Sequence, residues 1–218
     1  MIVVSDLSGT LTTGSPVLGL VDWVRHHQSR LRADIYMASV IPSYFLAKWG
    51  VIDIQKFASR LMVNCLPLVK DATSQKVQEM AEWSVDTQLW PKRRQDVLAR
   101  LARHKENGAQ VFIASSIIEP TVQVFARRIG AGVIATPIEI KNGRLTVPNG
   151  LAAEKEKIRL VLDRLGVERV DMAYGDTWQD IPLLENAKKA VAVYPDRGLR
   201  SAAIEHGWEI LEDTKDKG

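Results

Sequence analysis

The chain has 218 residues, enough for one domain or for a core with a smaller inserted unit, and a chain of that size buries a core without disulfides or structural metal. Apolar residues at 46% and charged residues at 25% are an ordinary globular balance, and a net charge of +3 without interleaved aromatic and basic residues argues against a nucleic-acid partner. The single cysteine, Cys65, excludes an internal disulfide; the uncharged run 35–47 is broken by Pro42 and is too short to span a bilayer. No secretory pattern opens the chain, so the expectation is a soluble cytoplasmic protein with no membrane segment.

Ile2-Val3-Val4-Ser5 is a short apolar run ended by Asp6 and Gly9, the pattern of a buried parallel strand. From Ser15 to Trp90 the period changes to that of helices, as in Val17, Leu20, Val21 and Val24, and four of the six tryptophans fall here as expected core residues. Pro91 is expected to open a helix with Val97, Leu98 and Leu101 on one face, and Lys92-Arg93-Arg94 to form its solvated start. Asn107-Gly108 stops that helix.

Val111–Ala114 follows as a second buried strand, Thr121–Ile129 as a helix and Gly132–Ala135 as a third strand. Asn142-Gly143, between alternating residues of 138–147, signals a hairpin. Helix 155–165, strand 170–174, helix 181–187, strand 191–194, a helix near 199–206 and a last strand at 208–211 complete the chain, and only the polar tail 212–218 reads as disordered. Alternating strands and helices predict an α/β fold, a Rossmann-like parallel sheet covered on both faces. The helical stretch is then an insertion: 1–14 and 91–218 form the core and 15–90 a helical cap domain.

Ligands of open parallel sheets bind beyond the carboxyl ends of the strands. There the sequence puts Asp6 and Ser8 after the first strand, Ser115 and Ser116 after the second, and Asp176 and Asp180 after the strand ending at Gly175. Carboxylates, hydroxyls and an ammonium on one edge suit a phosphate with Mg²⁺, which takes hard oxygen ligands: Asp6, Asp176 and the Ser8 backbone carbonyl. Asp180, one helical turn past Asp176, is a second ligand or holds a metal-bound water, unless it only caps the helix at Pro182. Lys155 shares a helical phase with Ile158, Leu162 and Leu165 and is expected to face the phosphate; Lys157 is the alternative. Ser115 and Ser116 bind phosphate or cap the next helix.

Asp6-x-x-Gly9-Thr10, Ser115 after Val-Phe-Ile-Ala, Lys155, and Gly175-Asp176-x-x-x-Asp180 resemble, in order, the four motifs of the haloacid dehalogenase superfamily, and the order and topology agree across nearly the whole chain. The helical insertion resembles the cap of the phosphoserine-phosphatase-like branch. The resemblance implies an Mg²⁺-dependent phosphohydrolase acting on a small phosphorylated molecule, in which Asp6 attacks phosphorus, forms an aspartyl-phosphate and is freed by water. It places Ser115 and Lys155 on the phosphate.

One departure matters. Most phosphatases of this superfamily carry a second aspartate two residues after the nucleophile as acid and base, and Ser8 stands there instead. Acid–base assistance is worth about 10²–10⁴ in rate. The alternatives are therefore a slow phosphatase, a phosphate-binding or regulatory protein of the same fold, and a phosphonatase-like enzyme using Lys48 as a Schiff-base lysine. The stretch after motif I, 11–21, has no acidic residue to hold a substrate amine, which argues against phosphoserine. The apolar residues of 35–45 hint at an ester with an apolar part. Oligomeric state is open.

Overall fold

The computed structural model describes the backbone of residues 1–51, 54–148, 150–151 and 154–212, and the side chains there apart from 48, 54–56, 58, 59, 154 and 155. The expectation for the tail therefore falls outside the described residues from 213 onward.

Six parallel strands form one sheet: β1 (Ile2–Ser5), β2 (Gln110–Ile118), β3 (Gly132–Thr136), β6 (Val170–Gly175), β7 (Ala187–Val193) and β8 (Glu209–Leu211). Their order is β3-β2-β1-β6-β7-β8, which puts the first strand in the middle. The side-chain period of two divides the strands between two cores. Val3, Val111 and Ile113 face one; Val4, Phe112 and Ala114 face the other. The second core is covered by α7 (Glu154–Leu165), α8 (Ile181–Glu185) and α9 (Arg197–His206).

The first core is larger because the stretch between β1 and β2 packs into it. Its helices are α1 (Pro16–His27), α2 (Arg30–Lys48), α3 (Ile54–Cys65) and α4 (Ser74–Ser84), the last running on as a π-helical turn, Val85–Leu89. Leu20, Trp23, Met80 and Leu89 of this stretch share one buried cluster with Phe125 and Val122 of α6 (Glu119–Ile129) and with Leu101 of α5 (Gln95–Glu106). Cys65 is fully buried there, as expected for a small apolar side chain. Trp23 is buried as well, whereas Trp49, at the C-cap of α2, is 72% exposed and contributes nothing to that core.

The expected hairpin is present as β4 (Glu139–Lys141) and β5 (Arg144–Thr146), antiparallel, with Asn142 and Gly143 both at positive φ as a tight two-residue turn requires. The turn does more than reverse the chain. The Gly143 carbonyl accepts the Ala72 N–H at 2.9 Å, so the hairpin props the entrance to α4.

The helix expected from Pro91 begins four residues later, at Gln95. Residues 92–94 spend their backbone groups on the loop after β1: Thr13 N–H donates to Lys92 O and Arg94 N–H to Leu11 O. With the Lys92 carbonyl turned to Thr13, the first carbonyl to accept a bond of α5 is that of Arg94, from Leu98 N–H at 3.1 Å. Lys92 is exposed as expected, but Arg94 is half-buried; its guanidinium lies 3.9 Å from the centre of the Tyr194 ring and donates from Nε to Gly9 O at 2.8 Å.

Phe125 is fully buried and meets Trp90 edge-on with ring centroids 5.4 Å apart, where the helical stretch and the sheet layer join. Phe125→Ala is expected to cost about 3–5 kcal/mol. Because one cluster spans both parts, urea unfolding followed by tryptophan fluorescence and by far-ultraviolet circular dichroism should shift as a single coincident transition. Two separated transitions would show that the helical stretch melts independently.

Candidate active site

Asp6 continues β1 by one residue, its N–H donating to Tyr174 O at 3.0 Å, so its side chain leaves the sheet at the carboxyl edge beside the end of β6. It is only 7% exposed. Lys157 Nζ lies 3.1 Å from Asp6 Oδ1 and 2.5 Å from Asp180 Oδ1. The other Asp180 oxygen, Oδ2, accepts the backbone N–H groups of Asp176 and Thr177 at 3.1 and 3.2 Å. Asp180 is thus the reciprocal cap of the single helical turn Trp178–Asp180, and it gives no side-chain cap to α8. Asp176 Oδ1 accepts the Thr10 hydroxyl at 2.7 Å.

The loop between Asp6 and Thr12 is held tight. Gly9 N–H donates to Thr12 O at 2.7 Å, and Gly9 has φ +92°. A Cβ there would stand 1.9 Å from Asp176 Oδ2, so glycine is needed both for the backbone and for the approach of the two loops.

The electrostatics are lopsided. Asp6, Asp176 and Asp180 each present an oxygen within 4.8 Å of the others, and Lys157 brings one positive charge to the three. Burial raises the Asp6 carboxyl to about 7; Lys157 and the Ser8 N–H pull it down, and Asp180 pushes it further up. Asp176 rises to about 8, again mainly by burial, with Asp6 and Asp180 adding to it and Thr10 opposing. Burial works against the Lys157 ammonium, but Asp180 and Asp6 outweigh it and hold it charged. Hard oxygen donors with an unbalanced negative charge fit a divalent cation such as Mg²⁺. Asp6 and Asp176 would hold it with the least rearrangement, since both Asp180 oxygens already accept hydrogen bonds.

A cavity of about 780 Å³ opens over this cluster, lined at its floor by Asp6, Ser8, Gly9, Ser116, Lys157 and Asp176. Ser8 is exposed in it. Ser115 is buried and is not among the described residues that line the cavity; its hydroxyl accepts the Ile117 N–H at 3.3 Å.

The expected lysine needs correction. α7 buries Lys157, Ile158 and Val161, a stripe one residue away from the phase built on Ile158, Leu162 and Leu165. Leu162 and Leu165 are only half-buried, and among the described lysines the alternative, Lys157, faces Asp6. The Lys155 side chain lies outside the described residues, and so does that of Lys48. The parts played by Thr10 and Arg94 are not evident from sequence reasoning. Thr10 is hidden inside the motif, and Arg94 reads as one more surface cation.

Fold and site together define an α/β protein with an acidic centre at the carboxyl edge of a parallel sheet. Residues 3–185 match the haloacid dehalogenase-like hydrolase family, and the chain belongs to that family. A Mycobacterium tuberculosis protein named as a phosphoserine phosphatase is 32% identical over 117 residues, which are 50% of this chain and 38% of that protein. The chain spans less than half the length of the first curated relatives it matches. Among solved structures, a Bordetella pertussis Tohama I protein of unknown function superposes with a TM-score of 0.73 at 20% identity, covering 97% of both chains. A substrate-bound phosphoserine phosphatase superposes with a TM-score of 0.62 at 15% identity, covering 97% of this chain and 92% of that one. These two likenesses establish the fold.

A carboxyl raised in the folded state binds its proton more tightly there than in the unfolded chain, so its contribution to stability is present at low pH and lost as pH rises. For Asp6 and Asp176 the loss runs from about pH 4 up through about 7 and 8. Asp176→Asn keeps the acceptor for Thr10 and removes one charge. In metal-free protein it should raise the melting temperature by several degrees at pH 8 and by much less at pH 5. Equal shifts at both pH values would show that the carboxylates do not strain the folded state.

Proposed function

We propose that the chain is an Mg²⁺-dependent phosphomonoesterase that works through an aspartyl-phosphate on Asp6. One observation carries the reading: Asp6 lies at the strand end with Asp176 and Asp180 on one side of it and the charged Lys157 against its carboxylate. Family membership supports a hydrolase, and relatives named as phosphatases support the phosphate ester.

In this reading an Asp6 oxygen forms a bond to phosphorus as the ester P–O bond breaks. Lys157 and the backbone N–H groups of the loop after Asp6 neutralise the phosphoryl oxygens, with Ser116, which lines the cavity, as a further donor. Bound Mg²⁺, held by Asp6, Asp176 and the Ser8 carbonyl, would supply charge stabilisation for the same oxygens. Asp180 fixes the Lys157 ammonium and the Asp176 backbone. Ser8 donates a hydrogen bond to the leaving oxygen but surrenders no proton to it at neutral pH, so that oxygen takes its proton from water. A water then attacks phosphorus, frees phosphate and restores the Asp6 carboxylate. The helical stretch 15–90 acts as the cap that selects the substrate.

The test is phosphate release from p-nitrophenyl phosphate and a set of metabolite esters with and without Mg²⁺. Turnover should need the metal and fall to background in Asp6→Asn. Absence of metal-dependent turnover with any ester would leave a phosphate-binding protein of this fold, the reading that Ser8 favours. Ser8→Asp is expected to raise turnover at least about tenfold on esters with poor leaving groups and much less on p-nitrophenyl phosphate. An equal effect on both would refute the missing-acid account. Because protons and metal compete for Asp6 and Asp176, the rise in melting temperature given by Mg²⁺ should be larger at pH 8 than at pH 6.

A further inference from the structure

Among the described residues that line it, the cavity above Asp6 carries charge only on its floor. Among its described lining residues the carboxylates and ammonium are Asp6, Asp176, Asp180 and Lys157, all belonging to the acidic cluster. The uncharged polar side chains, such as Ser8, Thr13, Ser116 and Gln179, come from the segments at the strand ends. The upper walls are different. Every described lining residue from α2 and α3 is apolar or a tyrosine, with Met37, Val40, Phe57 and Met62 among them, and Val17 and Ile117 extend the surface below.

The tyrosines do not change this character. Tyr36 donates its hydroxyl to Leu61 O at 3.0 Å, and burial raises its phenol, which keeps it neutral. Tyr44 stands at the rim, 48% exposed, near Ile41 at 52%. Among the described residues, the walls away from the rim offer no charged partner to a substrate amine or carboxylate, and burying an unpaired charge against them is strongly unfavourable. A volume near 780 Å³ is within the range that holds a sizeable organic group.

Resting on the phosphomonoesterase reading, we infer that the substrate is a phosphate monoester whose organic group is an uncharged hydrocarbon, alkyl or aryl, packed between α1, α2, α3 and Ile117. The phosphate takes the charged floor and the hydrocarbon displaces water from the walls. Selectivity then follows apolar area, since each fully buried methylene is worth up to about fourfold in binding.

The test measures kcat/KM with Mg²⁺ for butyl, hexyl and decyl phosphate below their micellar concentrations, for phenyl against 1-naphthyl phosphate, and for phosphoserine and glucose 6-phosphate. The value is expected to rise at least about tenfold from butyl to decyl phosphate and to be lowest for the two polar esters. Val40→Asp should cut the decyl-to-butyl ratio at least about tenfold, while Val40→Leu preserves it. Calorimetric binding of decylphosphonate should be tighter than that of butylphosphonate, a readout that does not depend on turnover. Decyl phosphate in solution and phosphatidate in vesicles separate a free ester from one presented by a bilayer, and preference for either over butyl phosphate supports the inference. Metal-dependent turnover without chain-length dependence, or preference for phosphoserine or the sugar phosphate, overturns the substrate class and leaves the hydrolase reading standing. No turnover of any ester overturns the hydrolase reading itself.

Discussion

Lys157 Nζ is shared between Asp6 and Asp180 in a site nearly closed to water, and Asp176, the third carboxylate, has a threonine hydroxyl as its side-chain hydrogen-bond donor. Among the described residues, one ammonium against three acids leaves the cluster short of positive charge. Burial sharpens the shortage, because a carboxylate withdrawn from water loses hydration that a shared lysine replaces only in part. The raised Asp6 and Asp176 carboxyls are the visible result. The proposed function answers that imbalance with a bound cation beside the phosphate. A divalent cation would offset the two negative charges that Lys157 leaves unbalanced, so that a phosphate would no longer be repelled by the floor.

The fold exists to bring these groups together at fixed spacing. β1 and β6 are neighbours at the centre of the sheet and in register, Ser5 beside Tyr174, so Asp6 and Asp176 leave the same edge within a residue of each other. The N-terminal half of α7 places Lys157 beneath them while Ile158 and Val161 anchor it in the second core. The loop after β1 is braced from outside the site by Arg94 on the Gly9 carbonyl and by the backbone pairing of residues 11–13 with 92–94. That bracing costs α5 its expected first turn. Rigidity at Asp6 is gained where regular helix is given up.

Most of the fold is legible in the sequence because its signals are local. Short apolar runs ending in Asp or Gly, helical periods between them, and Asn142-Gly143 are enough to place the parallel sheet, its helices and the hairpin. Asp6, Asp176 and Asp180 are legible for a similar reason: strand ends of a parallel sheet fix where side chains converge. Lys157 is harder to single out because a helix of alternating charges and leucines fits two phases, and Val161, the deepest residue of α7, lies outside the stripe built on Leu162 and Leu165. Arg94 and the delayed start of α5 depend on pairing across about eighty residues of sequence, which no window along the chain contains. Asp180 reads in the sequence as metal support or helix cap. It is indeed a cap, of the turn that presents Asp176, while it also grips Lys157.

Ser8 and the apolar walls constrain the proposed chemistry from opposite ends of the substrate. A serine in place of the proton donor costs most when the leaving group is a simple alcohol and little when it is an acidic one, such as a phenol. The walls ask for hydrocarbon, which both kinds of ester can supply. An alkyl ester therefore needs its barrier lowered by other means. The available one is the low-dielectric chamber itself: a hydrocarbon seated against α2 and α3 expels water and strengthens the hold of Lys157 and a bound cation on the phosphoryl oxygens. The same exclusion of water works against the second step, in which water must reach the phosphoryl group on Asp6. Release of the alcohol must then come first and reopen the chamber. On this account Ser8 limits the first step for alkyl esters, and the lifetime of the phosphorylated Asp6, once formed, is governed by how fast the apolar product leaves the helical walls.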